Sequence, residues 1–352
     1  MIKNALLLFF AIFLFAADPS FSKDNKLTVA ASIKPIHSIV AYLMKGVGTP
    51  KLIVDGKTSA HNFHLKPSQV RVIRDSSLFV WVAPSLETFL KKPLSQKNSE
   101  DIIALGKLNS LVRHEFRSEH HDEVSHSKNL SKDEHGHKDE HGHKEKHGHK
   151  EKHGHKEKHG HKDEHGHKEK HGHNHGDLTE DPHYWLDPRN AIVLAKAVTK
   201  ELTRRDAKNS SIYKTNLTKF LQETDALEKQ LADRLKGFAN TDYVVFHDAY
   251  QYFEKRFGLK PGRAITISPE TPPSARRVYS VATAIRKENI GCIFSEPQFN
   301  PKLVRAIAAK SGVHRGVIDP LGANIPNGPM LYKTLLTDMA DALIGCVKKL
   351  QN

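Results

Sequence analysis

Short apolar runs alternate with stretches of helical periodicity along most of the chain. The apolar runs fall into two groups of four, which we predict to be strands: 27–32, 51–54, 78–82 and 102–105, then 243–246, 264–267, 292–295 and 316–318. The amphipathic stretches between them predict helices at 35–44, 67–74, 86–90, 249–257, 274–287, 301–310 and 332–348. In the helix at 67–74 we expect Val70 and Ile73 on one face. Because short apolar strands that alternate with helices are typical of βαβ units, we predict an α/β fold with two lobes, each built on a four-stranded parallel sheet.

The middle of the chain is its most helical part. Asp187 and Pro188 form the cap and first turn of a helix that runs to about Arg205. A second helix is predicted from about Asn209 to Gly237. We assign its buried stripe to five leucines: Leu217, Leu221, Leu227, Leu231 and Leu235. This stretch predicts linking helices over 188–240, followed by a C-terminal lobe over 241–352.

The N-terminus predicts export. An apolar run over 5–17 follows Lys3, which is typical of a secretory signal and too short for a membrane span. Small residues precede a cleavage site near Ser22, so we predict a signal peptide over 1–22 and a soluble mature protein in the periplasm. No cysteine lies near that site, which argues against a lipid anchor.

Cys292 and Cys346 are the two cysteines of the chain. In an oxidising compartment an isolated pair usually forms a disulfide, and two buried free thiols are the alternative. A disulfide between them would join the C-terminal helix to a strand of the second sheet.

A polar segment from about 115 to 181 has almost no apolar side chains, so we expect a disordered loop within an N-terminal lobe that spans 23–187. Inside it the triplet His-Gly-His occurs seven times at six-residue spacing. Neutral imidazoles are common ligands for zinc, copper and nickel, so this His-rich tract predicts accessory metal binding. The candidate accessory ligands are His135, His137, His141, His143, His147, His149, His153, His155, His159, His161, His165, His167, His171, His173 and His175.

The formal charge of +14 does not come from the tract, where lysines and acidic residues nearly balance. The folded body is therefore basic. Basic proteins can bind nucleic acid, but an exported protein rarely meets any, so we expect no nucleic-acid partner. The charge is better explained by solubility or by attraction to an anionic membrane surface.

Four residues outside the tract lie where ligands bind in open α/β sheets, beyond the carboxyl ends of strands. His61 follows the second predicted strand, His247 and Asp319 follow two strands of the second lobe, and His183 precedes a helix. Three neutral imidazoles with an open or carboxylate fourth position suit tetrahedral zinc, whereas more carboxylates would favour manganese. A single loop histidine is more often only a hydrogen-bonded polar residue.

Five segments carry a family resemblance. They are 55–68 (DGKTSAHNFHLKPS), 183–188 (HYWLDP), 245–253 (VFHDAYQYF), 294–299 (FSEPQF) and 318–322 (IDPLG). In this order they resemble the metal-site motifs of the periplasmic zinc-binding proteins of ABC importers, the ZnuA-type family. The resemblance covers the whole mature chain. It implies two (β/α)4 lobes joined by a long rigid helix, with Zn²⁺ in the cleft between the lobes and a disulfide in the C-terminal lobe.

Carried over by motif, the resemblance implies that His61, His183 and His247 are the zinc ligands. Asp319 matches a fourth ligand of manganese-binding relatives and of some zinc-binding ones. Zinc importers of this type frequently have Glu before the first histidine, where this chain has Ala60. The fourth position therefore stays open between Asp319, a water molecule and His64.

Three further residues receive no ligand role. Glu296 is expected to act as a hydrogen-bond acceptor at the cleft. His37 and His314 are expected to be ordinary polar residues.

The leading hypothesis is thus a monomeric, non-enzymatic solute-binding protein that captures Zn²⁺ and delivers it to an inner-membrane ABC permease with a cytoplasmic ATPase. The tract would collect zinc weakly or sense its abundance. A relative that carries manganese or another divalent metal, a zinc-dependent hydrolase and a metal-sequestering buffer or surface adhesin are the alternatives. The hydrolase is disfavoured because the sequence has no His-Glu-x-x-His helix.

Overall fold

The structure is a computed structural model that describes residues 27–117 and 180–351. The predicted signal peptide and the His-rich tract lie outside the described residues. The described residues 27–114 and 180–351 belong to one compact unit, which holds both sheets.

Eight strands form two parallel sheets in this unit. The N-terminal sheet consists of β1 (Val29–Ile33), β2 (Lys51–Val54), β3 (Leu78–Trp81) and β4 (Ile102–Ala104), in the order β2-β1-β3-β4. The C-terminal sheet consists of β5 (Tyr243–His247), β6 (Arg263–Thr266), β7 (Cys292–Ser295) and β8 (His314–Val317), in the corresponding order β6-β5-β7-β8. The two sheets thus share one topology, and the predicted fold class is confirmed.

Nine α-helices occur in the described residues. They are α1 (Lys34–Leu43), α2 (Pro67–Asp75), α3 (Lys91–Ser95), α4 (Pro188–Arg205), α5 (Ser210–Leu235), α6 (Gln251–Phe257), α7 (Ala275–Lys287), α8 (Lys302–Ser311) and α9 (Leu331–Gln351). None of the helices in this part of the chain has both the length and the apolar character that a membrane span requires.

The helix α4 begins where the sequence predicts. Asp187 accepts a hydrogen bond from the backbone N–H of Arg189, and Pro188 occupies the first turn, where its missing N–H has no cost. Both α4 and α5 lie within 188–240, the range over which linking helices are predicted.

The predicted leucine stripe of α5 is wrong in its first half. Leu217 and Leu221 are only half-buried, and the buried face is formed by Tyr213, Asn216, Phe220, Thr224, Leu227, Leu231 and Leu235. The prediction counted leucines alone and therefore missed a buried amide: Asn216 donates hydrogen bonds to the carbonyl groups of Leu43 and Lys45, at 3.0 and 2.9 Å.

Two smaller expectations also fail. β8 begins at His314, earlier than predicted, because this edge strand is largely exposed and lacks an apolar run. In α2 only Ile73 is buried, whereas Val70, expected on the same face, is exposed.

The two lobes are joined by more than the linking helices. α9 packs against α1 and α5, and one apolar core extends from the N-terminal sheet through these helices into the C-terminal lobe. Lys34 of α1 donates hydrogen bonds to the carbonyl groups of Ala323 and Ile325, at 3.1 and 2.6 Å. The lobes are therefore held together by a shared core and by side-chain hydrogen bonds as well as by the linking segment.

The predicted disulfide is present. Cys292, the first residue of β7, is bonded to Cys346 of α9, with their Cα atoms 6.1 Å apart. It joins the C-terminal helix to the second sheet, at the end of β7 remote from the carboxyl edge.

Candidate metal centre

Three histidines from distant parts of the chain meet at one point. His61 lies in the segment after β2, His183 precedes a short 3-10 helix at Tyr184–Leu186, and His247 ends β5. Nε2 of His183 lies 3.3 Å from Nε2 of His61 and 3.4 Å from Nε2 of His247. Within the described residues, these three form the group of side chains placed to hold a metal ion, with ligand atoms within 4.8 Å of one another.

The nitrogen separations fit tetrahedral zinc. Zn–N bonds of about 2.0–2.1 Å at tetrahedral angles place neighbouring nitrogens about 3.3–3.4 Å apart. Both measured separations from His183 have this value. The donor set is all imidazole, which suits zinc better than the oxygen-preferring Mn²⁺ or Mg²⁺.

Two of the imidazoles are fixed by buried carboxylates. Nδ1 of His183 lies 2.7 Å from Oδ1 of Asp181, and Nδ1 of His247 lies 2.7 Å from Oε1 of Glu296. A carboxylate at Nδ1 holds the proton on that nitrogen, so the lone pair of Nε2 faces the shared point. Glu296 thus acts as the acceptor that the sequence suggested, whereas the role of Asp181 was not foreseen.

His61 is held less firmly. Its side chain is 16 % exposed, against 3 % for His183 and for His247. Its Nδ1 lies 3.6 Å from Oε1 of Glu270, which is beyond hydrogen-bond distance.

The protonation of the three groups follows their surroundings. Burial and the neighbouring His183 and His247 lower the pKa of His61 well below its usual range. Burial opposes protonation of His247 too, but the Glu296 carboxylate outweighs it, and the pKa of His247 is raised. Burial alone would raise the pKa of Asp181, yet the contacts with His183 hold it low. The Asp181 carboxylate therefore stays anionic behind His183, and the imidazole of His61 resists protonation.

Apolar groups surround the imidazoles. The cavity at the three histidines is also lined by Ala60, Leu86, Trp185, Phe299, Pro320 and Leu321. The ring of Trp185 lies 5.3 Å from that of His183, and the ring of Phe299 lies 5.6 Å from that of His247. Such walls limit the access of water and strengthen charge interactions inside the site.

Asp319, a candidate fourth ligand, is not among the residues of this group. Oδ1 of Asp319 accepts hydrogen bonds from the backbone N–H groups of Leu321 and Gly322 and from Nε2 of Gln298, and Oδ2 accepts one from Ala323. The carboxylate is thus occupied in holding the loop after β8.

The other candidate histidines also lie outside the group. His64 is exposed, His37 is buried with its Nε2 3.0 Å from the Pro50 carbonyl oxygen, and His314 is exposed on β8. The identity of the fourth ligand stays a prediction, with Asp319, a water molecule and His64 as the candidates.

The whole of the folded region has known relatives. Residues 29–346 match the model of the family described as ZnuA, zinc-uptake complex component A, periplasmic. The chain is 43 % identical to the high-affinity zinc uptake system protein ZnuA of Brucella suis, over 91 % of this chain and 92 % of that protein. It is 38 % identical to the protein of the same name from Haemophilus influenzae, over 91 % and 93 % of the two chains.

A solved structure shows the same fold. The periplasmic zinc-binding protein TroA from Treponema pallidum superposes with a TM-score of 0.67 at 16 % identity, over 92 % of this chain and 99 % of that one. At this identity the likeness supports the two-lobed architecture alone.

Proposed function

The chain belongs to the ZnuA family of periplasmic zinc-uptake components, and we propose that it captures Zn²⁺ outside the inner membrane and delivers it for import. The observation that carries this proposal is that Nε2 of His183 lies at tetrahedral separations from Nε2 of His61 and from Nε2 of His247, with the ligand atoms of all three within 4.8 Å of one another. The relatives bear the name of a high-affinity zinc uptake system.

The site is suited to capture rather than to catalysis. Zinc hydrolases need a general base beside the metal-bound water. Here the carboxylates of Asp181 and Glu296 lie behind the imidazoles and are hydrogen-bonded to Nδ1 atoms, so neither serves as that base. A bound ion would be held and then released unchanged.

The expected partner is an ABC permease in the inner membrane with a cytoplasmic ATPase, and the protein acts as a monomer. The signal peptide over 1–22 accounts for export. Each lobe supplies ligands: the N-terminal lobe spans 23–187 and the C-terminal lobe spans 241–352. The linking helices over 188–240 fix the two lobes in relation to each other.

The His-rich tract serves as a weaker collector or sensor of zinc. Each ion bound there must order a long polar segment, which costs loop entropy, so several sites of low affinity are expected. Its place in the sequence, a few residues before His183, favours transfer to the cleft. Calorimetry tests this: the full chain should bind one tight and several weak equivalents of zinc, and a chain without 120–175 should keep only the tight one. Loss of the tight equivalent on deletion would contradict the proposal.

The metal preference is tested by elemental analysis and competition. We expect the purified protein to contain one tightly bound zinc once the tract is deleted, and to keep it in excess Mn²⁺. Displacement by Mn²⁺ would favour the manganese-carrying alternative. In a bacterium that lacks its own zinc-binding component, the gene should restore growth at low zinc when its permease and ATPase are supplied.

A further inference from the structure

Each of the three imidazoles has a carboxylate at the nitrogen that faces away from the shared point. For His183 this is Asp181, and for His247 it is Glu296, both at 2.7 Å. For His61 the corresponding group is Glu270, whose Oε1 lies 3.6 Å from Nδ1. The third pair has the same chemistry as the first two at a longer distance.

The pair of Glu270 and His61 differs from the other two pairs in that its two residues belong to different lobes. Asp181 is two residues from His183. His247 ends β5 and Glu296 follows β7, so both belong to the C-terminal sheet region. His61 belongs to the N-terminal lobe, after β2, whereas Glu270 belongs to the C-terminal lobe, after β6. Of the three pairs, this one joins the two lobes across the cleft.

The loop that carries Glu270 is shaped to present it. The hydroxyl oxygen of Thr266 lies 2.7 Å from the carbonyl oxygen of Ser268 and 3.2 Å from that of Thr271, so its one proton is shared between them and closes the loop on itself. The Ser268 hydroxyl donates to Oε2 of Glu270 at 3.0 Å, so Oε1 is the oxygen directed at His61.

Proline residues restrict this loop further. Pro269 precedes Glu270, and Pro272 and Pro273 follow it, so the loop loses little conformational entropy when Glu270 moves into place. The Glu270 side chain is 41 % exposed, which leaves room for its carboxylate to approach His61.

We infer that Glu270 is a positioning residue for His61, and that its approach from the C-terminal lobe to Nδ1 accompanies zinc capture. The inference rests on the proposed function. A carboxylate at Nδ1 fixes the tautomer and orientation of the imidazole, and removal of such a partner typically lowers metal affinity about 10- to 100-fold. Because the partner lies on the opposite lobe, its contribution couples zinc affinity to the relation between the lobes.

A double-mutant cycle tests the inference in the protein without 120–175. Zinc affinity is measured by competition with a chelator for the parent protein, Glu270→Ala, His61→Ala and the double variant. Glu270→Ala should lower the affinity about 10- to 100-fold in the parent and have no effect in the His61→Ala background. Glu270→Gln, whose amide oxygen still accepts a hydrogen bond, should lose less. Glu288→Gln is the matched control, since Glu288 is an exposed carboxylate of the same lobe that bonds Arg263.

Two spectroscopic readouts separate positioning from direct ligation. In NMR spectra of the zinc form, the Nδ1 proton of His61 should shift in Glu270→Ala while those of His183 and His247 stay in place. The visible spectrum of the Co²⁺ form should keep its intensity, because the number of ligands does not change.

Three results would overturn the inference: an unchanged affinity in Glu270→Ala, an equal loss in the His61→Ala background, or a Co²⁺ spectrum that reports a lost oxygen ligand. These results are distinct from a failure of the proposed function, which would show as weak zinc binding by the parent protein. Thermal unfolding of the zinc-free variants, expected to match the parent, verifies that each one folds.

Discussion

Nδ1 of His183 lies 2.7 Å from Oδ1 of Asp181, a residue two positions earlier, and both side chains are buried. The same carboxylate oxygen accepts a hydrogen bond from the backbone N–H of His183, and Oδ2 accepts one from Gln251. Asp181 thus fixes both the backbone and the ring of His183. Nε2 of this histidine lies within 3.4 Å of Nε2 of His61 and of His247. The orientation of the His183 imidazole therefore depends on the Asp181 carboxylate.

Asp181→Asn should lower zinc affinity at least about tenfold. The amide oxygen can still accept from the backbone N–H and Nδ1 of His183, but it carries no charge, so the imidazole is a less basic ligand and is oriented less strongly. Competition titration with a chelator measures the loss. Asp242→Asn, at an exposed residue paired with Lys260, is the control and should bind zinc as the parent does. Equal affinity of the Asp181 variant and the control would show that Asp181 does not orient the ligand.

Zinc binding should release a proton from His247 near neutral pH. Because Glu296 raises the pKa of His247 above its usual 6.5, a larger fraction of this imidazole is protonated in the zinc-free protein, and zinc must displace that proton. Zinc affinity should therefore fall as the pH decreases through the raised pKa of His247. Because the pKa of His61 is lowered, protonation of His61 should reduce zinc affinity only when the pH is well below 6.5.

Glu296→Gln tests the cause of this proton release. The amide keeps an acceptor for Nδ1 but carries no charge, so the pKa of His247 should fall and fewer protons should be displaced near pH 7. Calorimetry in buffers of different ionisation enthalpy counts the protons. If the variant released as many protons as the parent, the assignment to His247 would be wrong.

The disulfide should stabilise the fold without affecting the site. Replacement of both Cys292 and Cys346 by alanine should lower the free energy of unfolding by about 2–4 kcal/mol, because the closed loop is long. The bond lies at the start of β7, whereas Glu296 follows the opposite end of that strand, so zinc affinity should not change. Urea unfolding and a zinc titration of the same variant measure the two effects. A large loss of affinity would mean that the bond shapes the cleft.

Lys34→Met should weaken the junction of the two lobes. The variant keeps an apolar stem but loses the hydrogen bonds to the carbonyl groups of Ala323 and Ile325. We expect a loss of about 1–3 kcal/mol in the free energy of unfolding, since buried carbonyl groups lose a charged donor. Lys45→Met, at an exposed lysine at the end of α1, is the control. Equal stability of the two variants would show that the Lys34 bonds contribute nothing.

Much of the fold follows from the sequence because the sheets are buried. Strands such as Leu78–Trp81 are continuous apolar runs, which are typical of a parallel sheet covered on both faces. β8 is exposed, so its sequence carries no such run, and its start was predicted too late. In α5 the apolar period is interrupted by Asn216, whose burial depends on carbonyl groups of another helix and leaves no trace in the hydrophobic pattern.

The site was predictable only in part. His61, His183 and His247 stand in recognisable motifs, and the structure brings them together. Asp319 stands in an equally clear motif, yet its oxygens are occupied by backbone N–H groups of the following turn, a local arrangement that the motif does not reveal. Glu270 is distant from His61 in sequence and meets it only because the sheets set two loops against each other.

The central claim is that three imidazoles of the folded lobes, and not the His-rich tract, form the tight zinc site. A chelator-competition titration of the full chain with His61, His183 and His247 all replaced by alanine tests it most directly, with His37, His64 and the tract left intact. We predict that the tight equivalent disappears and only weak binding by the tract remains. Retention of the tight equivalent in this variant would contradict the account.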